Sequence, residues 1–174
     1  MMGFTRRRGE RGEEMNSSAS PRLRVDQIRR INMNIDDITG IIIDEAMKIH
    51  KNLGPGLLES VYETILAKML ELRGLRVKRQ NAVTFEYEGI LFEEGFRCDL
   101  LVNDCVVVEL KSAEKNAPVY YKQLLTYLKL MKLEVGLLIN FGTATLKEGL
   151  QRIVNNYHPS ASSGLHVNRW LGDA

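Results

Sequence analysis

The chain has 174 residues, 44% of them hydrophobic and 26% charged, enough for one globular domain with a sizeable core. No apolar run approaches the ~18 residues of a membrane span, and no apolar stretch follows the basic N-terminus as a secretion signal requires, so no membrane association is expected. The net charge of +2 hides an asymmetry: residues 1–32 carry eight Arg against four acidic residues, and the remainder carries 16 basic against 18 acidic, which excludes an overtly basic nucleic-acid binder as the folded part.

Residues 1–32 are polar, with a Ser-rich patch, and read as a disordered N-terminal extension. The helical pattern begins at Met33, which is the expected natural translation start. Arg29-Arg30, if encoded AGG-AGG, would place a ribosome-binding site just before it. Ile38, Ile41, Ile42, Ala46, Ile49 and Leu53 mark one face of a first helix, with Asp36 or Asp37 as N-cap. Gly54-Pro55-Gly56 breaks it. A second helix is predicted from about Leu57 to Arg73, closed by Gly74. Its apolar arc holds Leu58, Val61, Tyr62, Ile65, Leu66, Met69, Leu70 and Leu72.

Strands follow. "LRVKRQ" reads as a short basic strand, whose Arg76, Lys78 and Arg79 form either a modest contact surface or a solvated edge. "AVTFEYEGILFEEGFRCDLLV" reads as a hairpin turning at Glu88-Gly89, and "CVVVELK" as the next strand. The two cysteines, Cys98 and Cys105, lie here without metal-ligand spacing and read as small buried residues, which suits a reducing cytoplasm. Residues 118–132 form a third helix with Pro118 in its first turn. "VGLLINF" is a strand buried on both faces, "TLKEGLQRIVNNY" a closing helix, and 158–174 a loose tail. The predicted order is α-α-β-β-β-β-α-β-α, an α/β class with a mixed sheet, in a single domain over residues 33–157.

Several charges sit where apolar residues belong. On "VVVELK", Glu109 and Lys111 share a face, and Asp99 interrupts the strand before. Glu59 falls inside the apolar arc of the second helix, and Gln123 lies beside Tyr127 on the apolar side of the third. An unpaired buried charge costs several kcal/mol. A shared divalent cation would answer all of them, since Mg²⁺ prefers carboxylate and carbonyl oxygens. Sharing one requires Asp99 and Glu109 on the same side of the sheet. A two-residue Asn103-Asp104 turn would put them on opposite faces. A three-residue loop, Asn103-Asp104-Cys105, pairs Val102 with Val106 and sets them level, so an odd-length loop, or a bulge that restores the same phase, is expected.

This constellation resembles the PD-(D/E)XK nuclease superfamily: an Asp on one strand (Asp99), Glu-x-Lys on the next (Glu109, Lys111), and the Gln-x-x-x-Tyr helix motif (Gln123, Tyr127) of its RecB-like branch. Together "IHKNLGPG", "GLLESVY", "CDLLV", "VVELK", "QLLTYLKL" and "GLLINF" resemble, from Met33 to Asn156, a small family named for Gly-x-x-Glu-x-x-Tyr (GxxExxY), here Gly56, Glu59 and Tyr62. The resemblance implies a restriction-endonuclease-like α-β-β-β-α-β core and a Mg²⁺ (or Mn²⁺) site. In it Asp99, Glu109, the Leu110 carbonyl and Glu59 supply ligands, Lys111 handles the attacking water, and Gln123 and Tyr127 support the nucleotide or the lysine. His50 reads as a core or capping residue. The expected function is metal-dependent hydrolysis of DNA or RNA. The rivals are a non-cleaving nucleic-acid-binding or scaffold domain of the same fold and, more weakly, an enzyme acting on a small phosphorylated substrate. Nucleic acid is the expected partner, and a homodimer or protein partner stays open.

Overall fold

The computed structural model describes residues 33–156. The expectations for residues 1–32 and 158–174 lie outside the described residues. The chain enters through helix α1 (Ile35–Leu53), capped by Asn34 rather than by Asp36 or Asp37. The Asn34 side chain accepts from the Asp37 N–H at 2.8 Å and the Asp37 carboxylate returns the bond, a reciprocal capping box. Asp36 is instead buried and paired with Arg152 at 2.6 Å. Helix α2 spans Glu59–Leu72. Its buried face holds Tyr62, Glu63, Leu66, Ala67 and Leu70, while Leu58, Val61 and Leu72 of the expected apolar arc are exposed.

Three strands follow where four were expected. β1 (Val77–Tyr87) runs unbroken through the expected gap between "LRVKRQ" and "AVTFEY", because no Gly or Pro lies there to end it. It turns at Glu88-Gly89, both at positive φ, into β2 (Ile90–Val102). Two left-handed residues suit the right-handed twist of a two-residue hairpin, and Gly89 adopts that conformation without strain. β3 is Val106–Lys111 and helix α3 is Pro118–Met131. β4 (Val135–Asn140) is buried along its whole length, as its apolar run predicts.

The expected closing helix is not there. A single turn, α4 (Leu146–Gly149), gives way to strand β5 (Leu150–Val154), which pairs antiparallel with β4. The apolar spacing of Leu146, Leu150 and Ile153 fits a helix. However, β4 offers an unpaired, fully buried edge, and covering that edge overrides local propensity. Gly149 permits the change of direction: a Cβ there would overlap the Asn140 carbonyl oxygen.

The sheet order is β1-β2-β3-β4-β5, with β3 and β4 parallel and every other pair antiparallel. This is the expected restriction-endonuclease-like mixed sheet flanked by helices. α1 and α2 cover one face, burying Ile42, Ala46, Leu66 and Leu70 against Leu100, Val108, Leu110, Leu137 and Ile139. α3, the crossover between the parallel strands, covers the other face, burying Leu124 and Leu128 against Cys98, Leu101, Val107 and Leu138. No helix among the described residues is long and apolar enough to cross a membrane.

Candidate active site

The site lies where β2 and β3 part. Asn103 and Asp104 both adopt left-handed conformations, which their short polar side chains tolerate better than most residues. The Cys105 N–H closes the turn on the Val102 carbonyl at 3.0 Å. With Cys105 as the third loop residue, Val102 pairs with Val106, Leu101 with Val107 and Leu100 with Val108, so the odd-length loop is present. The ladder then stops. The next pair in phase would be Asp99 and Glu109. The Leu110 N–H donates instead to Asp99 Oδ2 at 2.8 Å. A side-chain carboxylate thus takes the place of a backbone acceptor. Cys98 and Leu101, three residues apart, both pack on the α3 side. Strict alternation therefore breaks across Asp99 and brings its carboxylate to the sheet's opened seam.

Glu109 is only 4% exposed. Lys111 Nζ donates to its Oε1 at 2.7 Å, whereas Oε2 is buried with no hydrogen-bond partner. Burial first, and the nearby Asp99 charge second, push the Glu109 carboxyl up to about 6, against the opposing pull of Lys111. Asp99 is also raised, chiefly by burial, although the Leu110 N–H opposes the shift. Burial works against the Lys111 ammonium. The Glu109 hydrogen bond and the charges of Glu109, Asp99 and Glu59 outweigh it and raise the lysine. Lys111 Nζ also stands 5.3 Å from the centre of the Tyr120 ring.

α3 brings Gln123 and Tyr127 to this side. Gln123 Nε2 donates to the Tyr127 hydroxyl at 2.6 Å, one helical turn away, so the two form a unit with each other. The Tyr127 ring stacks on Phe96 of β2 at 3.9 Å. Burial raises the Tyr127 hydroxyl, against the Gln123 hydrogen bond.

α2 reaches the site through its first turn. Glu59 Oε1 accepts from the Ser112 N–H at 3.0 Å, just past the end of β3, and Ser112 Oγ donates to the Leu57 carbonyl at 2.7 Å. Gly56 takes a φ of 111°, open to glycine. The Tyr62 hydroxyl donates to the Gly54 carbonyl at 2.6 Å and accepts from the Leu57 N–H at 3.3 Å, while its ring stacks on Phe141 at 4.3 Å. The Gly-x-x-Glu-x-x-Tyr residues thus staple the loop between α1 and α2 to the exit of β3. Tyr62→Phe is expected to destabilise the chain by about 1 kcal/mol, through the buried hydrogen bonds alone. Urea denaturation at unchanged m-value checks it. His50 serves the frame, with Nε2 3.0 Å from the Thr143 carbonyl oxygen.

Two residues absent from the sequence-based site belong to it. Buried Glu63 and the strand residue Gln80 connect to Asp99: Gln80 Nε2 donates to Glu63 Oε2 at 2.7 Å and to Asp99 Oδ1 at 3.2 Å. Glu63 lies four residues after Glu59 on the same helix face, which was a usable signal. Gln80 carried none. The basic residues in and just before β1 have acidic partners: Arg79 Nε bonds Glu63 Oε1 at 2.8 Å, and Arg76 and Lys78 meet Asp104 at 3.3 and 2.6 Å. Asp104 serves two cations, so these ion pairs offset the positive charge of this edge only in part.

A mixed sheet opened between two strands, with an Asp on one and Glu-x-Lys on the next, defines a nuclease-type α/β fold. A family model for the PD-(D/E)XK nuclease superfamily matches residues 36–153, and the chain belongs to that superfamily. It has no significant match among curated proteins or solved structures.

Nucleases of this superfamily are generally divalent-metal dependent. Among the described residues no three His, Cys, Asp or Glu groups stand together as a metal cluster. The site offers a carboxylate pair, with one buried, unpartnered Glu109 oxygen beside Asp99. Two carboxylates with waters completing the shell fit Mg²⁺, which keeps several waters and binds through one or two carboxylates.

Proposed function

We propose that the chain is a metal-dependent phosphodiesterase of the GxxExxY branch that cleaves DNA or RNA. The observation that carries the proposal is the pairing of Asp99, bonded to the Leu110 N–H, with Glu109 Oε2, buried and unpartnered at the same seam. Asp99, Glu109 and the Leu110 carbonyl would hold Mg²⁺ or Mn²⁺, and Glu59 would add a further carboxylate at the rim. When bound, the metal would lower the pKa of a water and neutralise charge building on the phosphate. Lys111, released from Glu109, would orient that water and donate to the phosphate. Gln123 and Tyr127 would position the nucleotide. The free thiols Cys98 and Cys105 suit a cytoplasmic setting.

A second reading also has an observation behind it. Lys111 already occupies one Glu109 oxygen, and among the described residues no three acidic, His or Cys groups converge as a metal cluster, which favours a binding or scaffold domain that does not cleave. One experiment separates the two. Mn²⁺ is titrated into the purified chain by calorimetry, and end-labelled single- and double-stranded DNA and RNA are then incubated with Mg²⁺ or Mn²⁺. The proposal expects saturable binding and cleavage, both lost in Glu109→Ala, with cleavage alone reduced by 100-fold or more in Lys111→Met. Metal binding without cleavage of any substrate selects the scaffold reading, and no metal binding removes the catalytic one.

A further inference from the structure

Gln80 is an anomaly in β1. Its neighbours pair regularly, Arg79 with Leu100 and Asn81 with Cys98, so Gln80 lies in register with Asp99. Yet its φ is 46°, left-handed in the body of a strand, where a non-glycine residue carries steric strain. Such strain persists only when the surroundings over-determine it. The surroundings here are two carboxylates. The Gln80 amide nitrogen stands between Glu63 Oε2 and Asp99 Oδ1. Both neighbours are acceptors, so the nitrogen end must face them. Glu63 is itself fixed, because Arg79 Nε holds its other oxygen. Asp99 is therefore held at both oxygens, Oδ2 by the Leu110 N–H and Oδ1 by Gln80.

We infer that Gln80 is a positioning residue for the metal site: strained in β1 and oriented by Glu63, it fixes the Asp99 carboxylate for divalent cation binding. The inference rests on the metal site proposed above. It assigns the helix carboxylate Glu63 a role distinct from that of Glu59, since Glu63 orients the amide that orients Asp99. The strain and the hydrogen bonds belong to one device, because the left-handed turn is what β1 tolerates to keep this side chain on Asp99.

The test uses the full chain and two variants that remove the carboxamide but differ in strain. Gln80→Ala keeps a Cβ in the left-handed conformation, and Gln80→Gly relieves it. Thermal melting should therefore place Gln80→Gly above Gln80→Ala. Mn²⁺ affinity by calorimetry should fall about tenfold in both, the lower end of what losing a partner to a metal ligand costs. A purely structural role would make affinity follow melting temperature, with the alanine variant weaker. Affinity that tracks stability, or wild-type affinity in both variants, overturns the inference while leaving the metal site in place if Glu109→Ala still abolishes binding. An unaltered chain that takes up no Mn²⁺ overturns both.

Discussion

Glu109→Gln is expected to stabilise the metal-free chain by about 2 kcal/mol at pH 7.5 while eliminating Mn²⁺ binding. The carboxylate is nearly sealed from water, has one oxygen without a partner and lies close to Asp99. Its folded-state value of about 6 stands against an ordinary 4.5. A gap of about 1.5 units at 1.36 kcal/mol each gives the figure. Because the folded value is raised, the proton is held more tightly in the folded chain. The stability this proton supplies is complete below about pH 4.5 and is lost as pH climbs through about 6. Melting of the unaltered chain in chelator should therefore decline across that window, and the glutamine variant should lack that part of the decline. Lys111 loses its charged partner in the variant, but the glutamine carbonyl can still accept from it. Saturating Mn²⁺ should then reverse the ranking, raising the melting temperature of the unaltered chain alone. A glutamine variant that melts at or below the unaltered chain in chelator at pH 7.5 would show that the charge is comfortable where it sits. The strain of an ionised, unsatisfied Glu109 would then be no feature of the site. Such a trade of stability for a poised site is common where function needs buried charge.

The residues that made the site legible were those whose type conflicts with their setting. A Glu and a Lys two apart in an otherwise apolar strand can hardly be anything but neighbours on one face, and the structure bonds them. The odd loop between β2 and β3 was legible because bringing Asp99 level with Glu109 required it, although the pairing ends at Leu100 and Val108 and alternation breaks at Asp99, which loop parity alone does not foretell. Asn103 and Asp104 take the left-handed conformation that a two-residue turn would also use, and Cys105 supplies the extra residue. What stayed hidden depended on tertiary context. β5 reads as helix because its apolar spacing satisfies that period, and only the open edge of β4 makes it a strand. Gln80 looks like any polar residue on an edge strand, since backbone strain leaves no mark on residue type. Glu63 could be suspected only from its spacing to Glu59, and its burial follows from Arg79 and Gln80 arriving from β1. Asp36 was read as a cap because it begins a helix, although its partner Arg152 comes from the far end of the sheet.

Asn140→Ala is expected to destabilise the chain by about 3 kcal/mol and to weaken metal-dependent activity with it. Asn140 ends β4, level with Lys111 on the parallel strand β3, and is fully buried. Its Oδ1 accepts from the Ala113 N–H at 2.9 Å and the Gly142 N–H at 3.1 Å, and its Nδ2 donates to Asn116 Oδ1 at 3.0 Å. Alanine strands two backbone donors that no strand can reach, at about 1–3 kcal/mol each, and leaves a small void. The consequence reaches the site because Ala113 lies two residues beyond Lys111, and Glu59 grips Ser112 between them. Loosening the 112–116 segment frees the exit of β3 on the side where Lys111 must hold its ammonium. Asn116→Ala gives the calibration. It removes the bond to Asn140 and the donor to the Glu148 carbonyl, but leaves Ala113 and Gly142 satisfied, so a loss of about 1 kcal/mol is expected. Urea denaturation of both variants checks the order. A loss under 1 kcal/mol for Asn140→Ala would mean that water replaces the amide freely, and that the seam between β3 and β4 is held by the sheet rather than by this side chain.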